Sequence, residues 1–379
     1  MIYFDSAATT FQKPSAVASA VAEALHTMSS PGRGGYEAAM RAAETVFDCR
    51  SALAQLFHLS NPECVVFTTN ATHALNIAIK TLVPVGGSVV ISGYEHNAVT
   101  RPLHALNAEM RVAEAPLFAP EASLESFARS VTGKEAAVIC NHVSNVFGAV
   151  QPIEGIAAIC RERQVPLVID ASQSAGILEL DMEAMGAAFI AMPGHKSLYG
   201  PQGTGVLLCK EGITAKALLE GGTGSLSLQQ EMPTFLPDRL EAGTHNVPGI
   251  AGLLEGVRYV QGRGVEAISE KERRLALQAA EGLQKIGGIT VYAADGLAGQ
   301  VGVVSFTAAG KGSEEVAAAL GDAGIAARAG LHCAPLAHRS AGTLEQGTVR
   351  LSFSDFNTSE EVERFLDFMR REMAGSFRG

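Results

Sequence analysis

Six short runs rich in valine and isoleucine alternate with stretches that have the spacing of amphipathic helices. Apolar runs separated by helical segments in this way are typical of βα units around a mainly parallel sheet. The candidate strands span residues 64–68, 88–93, 136–141, 166–171, 187–192 and 204–209. The sequence therefore predicts an α/β fold over this part of the chain.

The pattern changes after about residue 250, where a long charged helical stretch precedes short strands and two further helices. That order is typical of an α+β domain that follows a larger α/β domain, and a chain of 379 residues suits two domains. We expect a large domain over residues 15–250 and a small α+β domain formed by residues 1–14 and 251–379.

Charge and cysteine usage exclude several classes of function. The net charge is -10 and no basic run occurs, which argues against nucleic-acid binding. No apolar run reaches membrane-spanning length, and the first residues lack the pattern of a secretion signal. The cysteines show no paired spacing, which predicts a reduced, cytoplasmic protein without a zinc site; they are Cys49, Cys64, Cys140, Cys160, Cys209 and Cys333.

Two residues near predicted strand ends carry chemistry that a parallel sheet would bring together. Asp170 ends an apolar strand, where a carboxylate needs a cation or a strong donor; capping of the next helix is an equally good interpretation. Lys196 lies in the loop "PGHKSLYGPQGTG", whose glycines we expect to allow backbone and ligand to approach closely. A lysine there is either a solvated charge or a Schiff-base amine.

A third feature is the strand-to-helix turn "TTNATHALN", where the N–H groups of Ala71 and Thr72 begin a helix. Such a helix start attracts phosphate, although simple helix capping is the preferred interpretation of this feature alone. A lysine, a carboxylate and a phosphate-binding helix start are what pyridoxal phosphate requires. His96, at another strand end, would then stack on the ring of this cofactor.

With these features the chain resembles the class V aminotransferase family of fold-type I pyridoxal phosphate enzymes, and within it the cysteine desulfurase and selenocysteine lyase branch. The likeness runs nearly end to end, through "YFDSAATTFQKP", "EHNAV", "NHVSNVFG", "VIDASQSAG", "GHKSLYGPQGTG", "RLEAGTHN", "RAGLHCA" and "VRLSFSDFNT". It implies a mainly parallel seven-stranded sheet in the large domain.

The resemblance also implies a role for each matching residue. Lys196 would hold the cofactor as a Schiff base, Asp170 would meet the ring nitrogen, and Gln173 the phenolic oxygen. The remaining cofactor contacts would come from His96 on the ring face, from Asn145, and from a phosphate cup of His195, Ala71 and Thr72. Thr244 would reach the phosphate of a neighbouring subunit, so a homodimer with shared sites is expected.

For the substrate, the resemblance implies that Arg350 meets the α-carboxylate with help from Asn145. A guanidinium suits this because its planar fork holds a carboxylate in two parallel hydrogen bonds. Without the resemblance, an exposed charge at a strand end is the preferred interpretation of Arg350.

Two positions depart from the family pattern. Pro193 stands where many relatives have a serine or threonine that donates to the phosphate. Leu331 replaces the first histidine of the "HHC" pattern of one desulfurase group, which leaves the role of His332 uncertain.

The resemblance implies that Cys333, in a loop expected to be mobile, attacks the substrate sulfur and becomes a persulfide. We expect a desulfurase that converts L-cysteine to L-alanine, with His332 as one candidate for deprotonating the thiol. Alternatives are a selenocysteine lyase, a cysteine sulfinate desulfinase or another C–S lyase, none of which needs Cys333. A scaffold protein without catalysis is a further alternative, but Lys196, Asp170, His96 and Arg350 are all present. Sulfur acceptors in iron–sulfur assembly, transfer-RNA thiolation, selenium metabolism or a biosynthetic route all fit.

Overall fold

The computed structural model describes residues 1–32 and 34–376. Its strands are, in chain order, β1 (Ile2–Tyr3), β2 (Val65–Thr68), β3 (Ser88–Ser92), β4 (Glu109–Ala113), β5 (Ala137–Asn141), β6 (Leu167–Asp170), β7 (Phe189–Pro193), β8 (Gly205–Cys209), β9 (Ile289–Tyr292), β10 (Val303–Ala308), β11 (Ile325–Ala326), β12 (Arg328–Gly330) and β13 (Thr348–Ser352). Its α-helices are α1 (Ser15–Thr27), α2 (Glu37–Leu56), α3 (Ala71–Leu82), α4 (Asn97–Ala105), α5 (Pro120–Ser130), α6 (Ile153–Arg163), α7 (Met182–Met185), α8 (Val247–Arg263), α9 (Val265–Gln284), α10 (Ser313–Asp322), α11 (Pro335–Ser340) and α12 (Ser359–Ser376).

Seven strands form the large sheet, in the order β2-β8-β7-β6-β5-β3-β4. β8 runs antiparallel to both of its neighbours, and the other pairs are parallel. This confirms the predicted α/β fold with a mainly parallel, seven-stranded sheet. Six of its strands were located from the sequence, each to within about two residues.

The seventh strand, β4, was missed because it lies at the edge of the sheet. Its first three residues are exposed, so the run "EMRVA" lacks the continuous apolar character that marks a strand covered on both faces. By contrast, every residue of β5, β6, β7 and β8 is buried.

Alternate residues of these central strands face two different helix layers. Ile169 and Ile190 belong to one apolar cluster, which includes residues of α2, α6 and α8. Val168 and Phe189 belong to another, formed with α3 and α4. Side chains that point to opposite faces of a pleated strand produce this division. The sheet is therefore fixed between two layers, and the carboxyl ends of its parallel strands share one edge.

A four-stranded antiparallel sheet, in the order β12-β13-β10-β9, forms from the last part of the chain. Its apolar core also contains Ile2 and Phe4 from the N-terminus, and β1 pairs with β11. The predicted division into two domains stays a prediction, and its boundary at residue 250 falls inside α8. No helix within the described part of the chain is long and apolar enough to cross a bilayer.

Candidate active site

A cavity of about 210 Å³ opens at the carboxyl ends of the parallel strands. Three of the eleven predicted site residues, Thr244, Cys333 and Arg350, do not line it. The other eight do, and they come from widely separated parts of the sequence: Ala71, Thr72, His96, Asn145, Asp170, Gln173, His195 and Lys196.

Lys196 lies in the turn after β7 and is partly buried. Burial lowers the pKa of the Lys196 ammonium to about 8, while the charge of Asp170 acts in the opposite direction. The N-terminal segment holds this turn: Thr10 donates through its N–H to the carbonyl of His195 at 3.1 Å, and through Oγ1 to the carbonyl of Lys196 at 3.2 Å. A lysine that loses its proton near neutral pH is suited to Schiff-base formation, so the solvated surface charge is the wrong interpretation.

Asp170 ends β6 and is 4% exposed. Its Oδ1 accepts a hydrogen bond from the N–H of Ser172 at 2.9 Å, so the carboxylate does cap the following turn. Among residues 1–32 and 34–376, no cationic side chain forms an ion pair with it. A buried carboxylate that lines the cavity and has no ion-pair partner in the described residues fits the protonated nitrogen of a bound ring.

His96 caps the N-terminus of α4, because its Nδ1 accepts from the N–H of Ala98 at 3.0 Å. That contact assigns the ring hydrogen to Nε2. Burial lowers the pKa of His96, followed by the opposing effect of Asp170. The ring is therefore neutral and held at the cavity wall, where an aromatic ligand can stack on it.

The phosphate-binding helix start is present at α3. The side chain of Asn70 caps the helix by accepting from the N–H of His73 at 2.9 Å. Ala71 and Thr72 occupy the first turn, where N–H groups have no acceptor within the helix. Both residues line the cavity, so these donors and the positive end of the helix are available to an anion.

The glycines of the Lys196 loop were expected to let backbone and ligand approach closely, and this stays a prediction; at two of them the close approach is to atoms of the protein itself. A Cβ on Gly194 would lie 2.2 Å from Oγ1 of Thr204, and one on Gly205 would lie 2.6 Å from the main chain of Asn70. These glycines allow the protein to pack against itself. Gly205 in particular lets β8 approach the turn that precedes the phosphate-binding helix.

Gln173 and His195 already have protein partners. The Gln173 amide donates to the carbonyl of Ala7 at 2.9 Å, and Nδ1 of His195 lies 3.0 Å from Oγ1 of Thr9. Burial, and then the charge of Lys196, lower the pKa of His195 to about 4. His195 is therefore a neutral donor at physiological pH, and the N-terminal segment is part of the site.

Arg350 lies outside the cavity wall and is 2% exposed, so the exposed strand-end charge is the wrong interpretation. It donates to Oδ1 of Asp5 at 2.7 Å and to the carbonyl of Asn145 at 2.9 Å. Its Nε is buried and has no partner within the described residues. Asp5 was not among the predicted site residues, although its position as a carboxylate in the N-terminal motif was a signal for it.

Cys333 is exposed, whereas the other five cysteines are buried and free, as the apolar settings of these residues predicted. The thiol lies in a tight turn directly before α11, in which the N–H of Ala334 donates to the carbonyl of Leu331 at 2.9 Å. The carbonyl of Cys333 accepts from the N–H of Asn97 at 2.8 Å. The main chain of this turn is thus anchored by hydrogen bonds, while the expected mobility of the loop stays a prediction.

The second anchor of this turn is the carbonyl of His332, which accepts from Nδ2 of Asn145 at 2.8 Å. His332 and Cys333 both have positive φ angles, 49° and 58°, a conformation that costs non-glycine residues about 1–3 kcal/mol each. Hydrogen bonds from the N–H of Asn97 and from the side-chain amide of Asn145 hold this strained turn beside the cavity.

The side chain of His332 is directed to Thr348, where Nε2 lies 3.1 Å from the main-chain carbonyl. Burial, followed by the charge of Arg350, lowers the pKa of His332 to about 3. A histidine with so low a pKa is a weak base, so it is not suited to deprotonating Cys333.

Thr244 is exposed and lines a different cavity, together with Thr69 and His73. Its loop is held by Glu241, which pairs with Arg50 and lies 2.6 Å from Nε2 of His245. Within one chain Thr244 therefore does not reach the cavity of Lys196.

The chain is similar in sequence to one known family and to individual members of it. The family described as "Aminotransferase class-V" matches residues 2–365. The proteins named "Probable cysteine desulfurase" of Mycolicibacterium paratuberculosis and of Pyrococcus abyssi are 34% and 31% identical to this chain, over 99% and 100% of it. The chain spans 56% of the length of the first and 95% of the second.

Among solved structures, the apo form of a cysteine desulfurase from Thermococcus onnurineus NA1 superposes with a TM-score of 0.91 at 32% identity. The match covers 99% of this chain and 95% of the other. The fold predicted from the sequence is thus found in a protein of similar length.

Proposed function

The chain belongs to the aminotransferase class-V family, and on that basis we propose that it is a pyridoxal phosphate-dependent cysteine desulfurase. The reaction converts L-cysteine to L-alanine and leaves the sulfur on Cys333 as a persulfide. The observation that carries the proposal is the position of Cys333. It is the exposed cysteine of the chain, and its carbonyl accepts a hydrogen bond from the N–H of Asn97, the residue that follows His96.

The residues around the cavity fit pyridoxal phosphate. Asp170 offers a buried carboxylate for the ring nitrogen, His96 a neutral ring for stacking, and the first turn of α3 free N–H groups for the phosphate. Lys196 would bind the cofactor covalently, and Gln173 and His195 would complete its contacts. When bound, the cofactor supplies an electron sink for the charge that develops at the substrate α-carbon.

Lys196 would move the proton at that carbon. Because burial lowers its pKa to about 8, a neutral amine is accessible near physiological pH, and this amine can accept the α-proton. The resulting ammonium then returns a proton to complete alanine. An acid–base group with a pKa close to the working pH is the efficient choice for both steps.

Arg350 and Asn145 would orient the substrate carboxylate. Two N–H groups of Arg350 are engaged with Asp5 and Asn145, and Nε is unpartnered in the described structure. Substrate binding would therefore add a carboxylate to an arginine that is already fixed in place. A preorganised guanidinium loses little entropy when it binds.

Cys333 would take the sulfur as a thiolate. A bond forms between its Sγ and the substrate sulfur while the substrate C–S bond breaks, and the electron pair of that bond passes to the carbon skeleton, which a proton then completes to alanine. The anchored turn restricts the positions of the thiol, which lowers the entropic cost of reaching the reactive geometry.

We include a homodimer in the proposal, in which the exposed Thr244 would reach the phosphate of the partner subunit. A sulfur-acceptor protein would then take the persulfide sulfur, and the five buried free thiols suit a reducing, cytoplasmic setting.

The test uses the holoenzyme with L-cysteine, L-selenocysteine and L-cysteine sulfinate, measuring alanine release for wild type, Cys333→Ala and the buried control Cys64→Ala. We expect Cys333→Ala to keep the cofactor and lose at least a hundredfold in rate with L-cysteine, and Cys64→Ala to stay near wild type. Mass spectrometry should find the added sulfur on Cys333. Full activity of Cys333→Ala with L-cysteine contradicts the desulfurase, and full activity with only the other two substrates supports the lyase or desulfinase alternatives.

A further inference from the structure

Glu95 is a fully buried carboxyl group between the end of β3 and His96, and it is 0% exposed. No cation pairs with it within residues 1–32 and 34–376, and the charged side chain that acts on it is the carboxylate of Asp170. An ionised carboxylate in this position would be both desolvated and repelled by its neighbour, which is costly.

The hydrogen bonds around Glu95 require a proton that an ionised carboxylate lacks. Oγ of Ser92 lies 2.6 Å from Oε1 of Glu95 and 2.9 Å from Oδ1 of Asn141. Both would be acceptors if Glu95 were ionised, but a serine hydroxyl carries one hydrogen and can serve only one of them. One of the two short oxygen–oxygen contacts would then hold no hydrogen.

Reversal of the Asn141 amide does not remove this conflict. Its Nδ2 donates to the carbonyl of Tyr94 at 2.8 Å, so a reversed amide would place two acceptors against each other there. A proton on Oε1 of Glu95 supplies the missing hydrogen, and the same oxygen still accepts from the N–H of Asn141 at 2.8 Å. Oε2 is buried with no partner in the described residues, which costs a neutral acid less than it costs a carboxylate. Glu95 then donates to Ser92, Ser92 donates to Asn141, and Ser92 accepts from the N–H of Tyr94, 3.1 Å away.

The electrostatic environment agrees with this arrangement. Burial raises the pKa of Glu95 to about 8, while hydrogen bonds from Ser92 and Asn141 act against the rise. The other titratable group that faces it is Cys140 on β5, whose own pKa burial raises well above the ordinary value. Below about pH 8, Glu95 and Cys140 are thus uncharged together.

We propose that Glu95 is a positioning residue, held as a neutral carboxylic acid, whose proton completes the chain Glu95–Ser92–Asn141 and so fixes His96 at the cofactor cavity. Glu95 is covalently joined to His96, and the chain ties it to the ends of β3 and β5. The protonated state rests on the hydrogen-bond geometry alone; the role toward His96 rests on the proposed function.

The protonated state is tested on the cofactor-free protein by denaturant unfolding from pH 5 to 8, comparing wild type with Glu95→Gln and with the exposed control Glu109→Gln. The amide introduced by Glu95→Gln is neutral at every pH. If its NH2 group takes the place of Oε1 it donates to Ser92 but opposes the N–H of Asn141; that loss does not change with pH, so the test uses only the pH dependence of the comparison. A carboxyl whose folded pKa lies above its unfolded value of 4.5 favours folding most at low pH, and that contribution is lost as pH rises toward the folded value.

We therefore expect the unfolding constant of wild type, relative to Glu95→Gln, to rise about tenfold per pH unit across this window. The ratio of the unfolding constants of wild type and Glu109→Gln should not change with pH. A flat ratio for Glu95→Gln would overturn the neutral state. Should that variant not fold, neutron diffraction from wild-type crystals at pH 7 decides the matter, because a deuteron must lie between Oε1 of Glu95 and Oγ of Ser92.

The positioning role has a separate test. The dissociation constant of pyridoxal phosphate is measured at pH 7 and pH 9 for wild type and Glu95→Gln. Ionisation of Glu95 breaks the chain in wild type, so its affinity should fall at least threefold more than that of the variant. Equal changes in both proteins would overturn the positioning role, while the unfolding result would still establish the proton. Failure of the wild-type protein to bind the cofactor would instead contradict the proposed function.

Discussion

The side-chain amide of Asn145 donates to the carbonyl of His332 at 2.8 Å, and the carbonyl of Asn145 accepts from Arg350 at 2.9 Å. One residue of the cavity wall thus connects the arginine proposed to bind the substrate with the turn that carries the reactive thiol. Only two carbon atoms separate the carboxylate from the sulfur in the proposed substrate, so their partners must stay within a narrow range of separations, and a rigid link between those partners serves the reaction.

Asn145→Ala should release this link. Loss of one hydrogen bond worth about 1 kcal/mol should loosen the turn, and we expect alkylation of Cys333 by iodoacetamide to speed up several-fold. Persulfide formation from L-cysteine should slow at least tenfold. Rapid-quench mass spectrometry measures both rates, and a change at the exposed end of α9, Gln284→Ala, serves as the control. Unaltered alkylation in Asn145→Ala would show that the turn does not depend on this residue.

A second prediction concerns the pH at which Lys196 becomes reactive. Because burial lowers the pKa of Lys196 to about 8, the neutral amine accumulates above that pH. The rate at which cofactor-free protein reacts with pyridoxal phosphate should therefore rise with a midpoint near 8, read from the visible absorbance of the imine. Asp170 raises the pKa of Lys196, so Asp170→Asn should shift the midpoint downward. A midpoint near the ordinary lysine value of 10.5 would contradict the buried environment.

The sequence predicted the sheet and the cavity well because buried parallel strands and their polar ends have a distinctive pattern. Six strands and eight cavity residues were located from that pattern together with the resemblance. The edge strand β4 was missed, since exposure on one side removes the pattern. The anchors of the Cys333 turn were also missed, because the N–H of Asn97 and the carbonyls of His332 and Cys333 are main-chain groups whose partners depend on the tertiary fold.

The interpretation of individual residues was weaker where neighbours decide the chemistry. A histidine beside Cys333 reads as a base, yet burial lowers the pKa of His332 to about 3. Glu95 was not singled out from the sequence, yet it is buried and has no cationic partner among the described residues. In both cases the sequence shows which residue is present but not its protonation state, which depends on desolvation by distant segments.

A third prediction uses the glycine that supports the phosphate-binding turn. A Cβ at Gly205 would lie 2.6 Å from the main chain of Asn70, so Gly205→Ala should displace the start of α3. We expect a loss of about 1–3 kcal/mol in unfolding free energy from overpacking and at least a tenfold loss in affinity for pyridoxal phosphate. Gly222→Ala is the matched control, because nothing lies within 4 Å of its added Cβ. Similar cofactor affinities in both variants would show that the turn adapts without cost.

A fourth prediction concerns the buried pair of Arg50 and Glu241, which ties the loop of Thr244 to α2. Arg50 is 7% and Glu241 8% exposed, and they are joined by two hydrogen bonds. Removal of one partner leaves a buried charge uncompensated, which typically costs about 3–5 kcal/mol. Urea unfolding should therefore show that Arg50→Met and Glu241→Leu each lower the free energy of unfolding strongly. The double variant should lose much less unfolding free energy than the sum of the two single losses.

The pair of Arg50 and Glu241 should also make the free energy of unfolding depend on pH in the acidic range. Burial alone would raise the pKa of Glu241, but the hydrogen bond from His245 and the charge of Arg50 hold it below the ordinary value. A carboxylate with a lowered folded pKa contributes stability that is present above the unfolded pKa of about 4.5 and is lost as pH falls further. The destabilisation caused by Glu241→Leu should therefore be full at pH 7 and shrink below about pH 4.5. A difference from wild type that is independent of pH would mean that packing, rather than charge, makes Glu241 important.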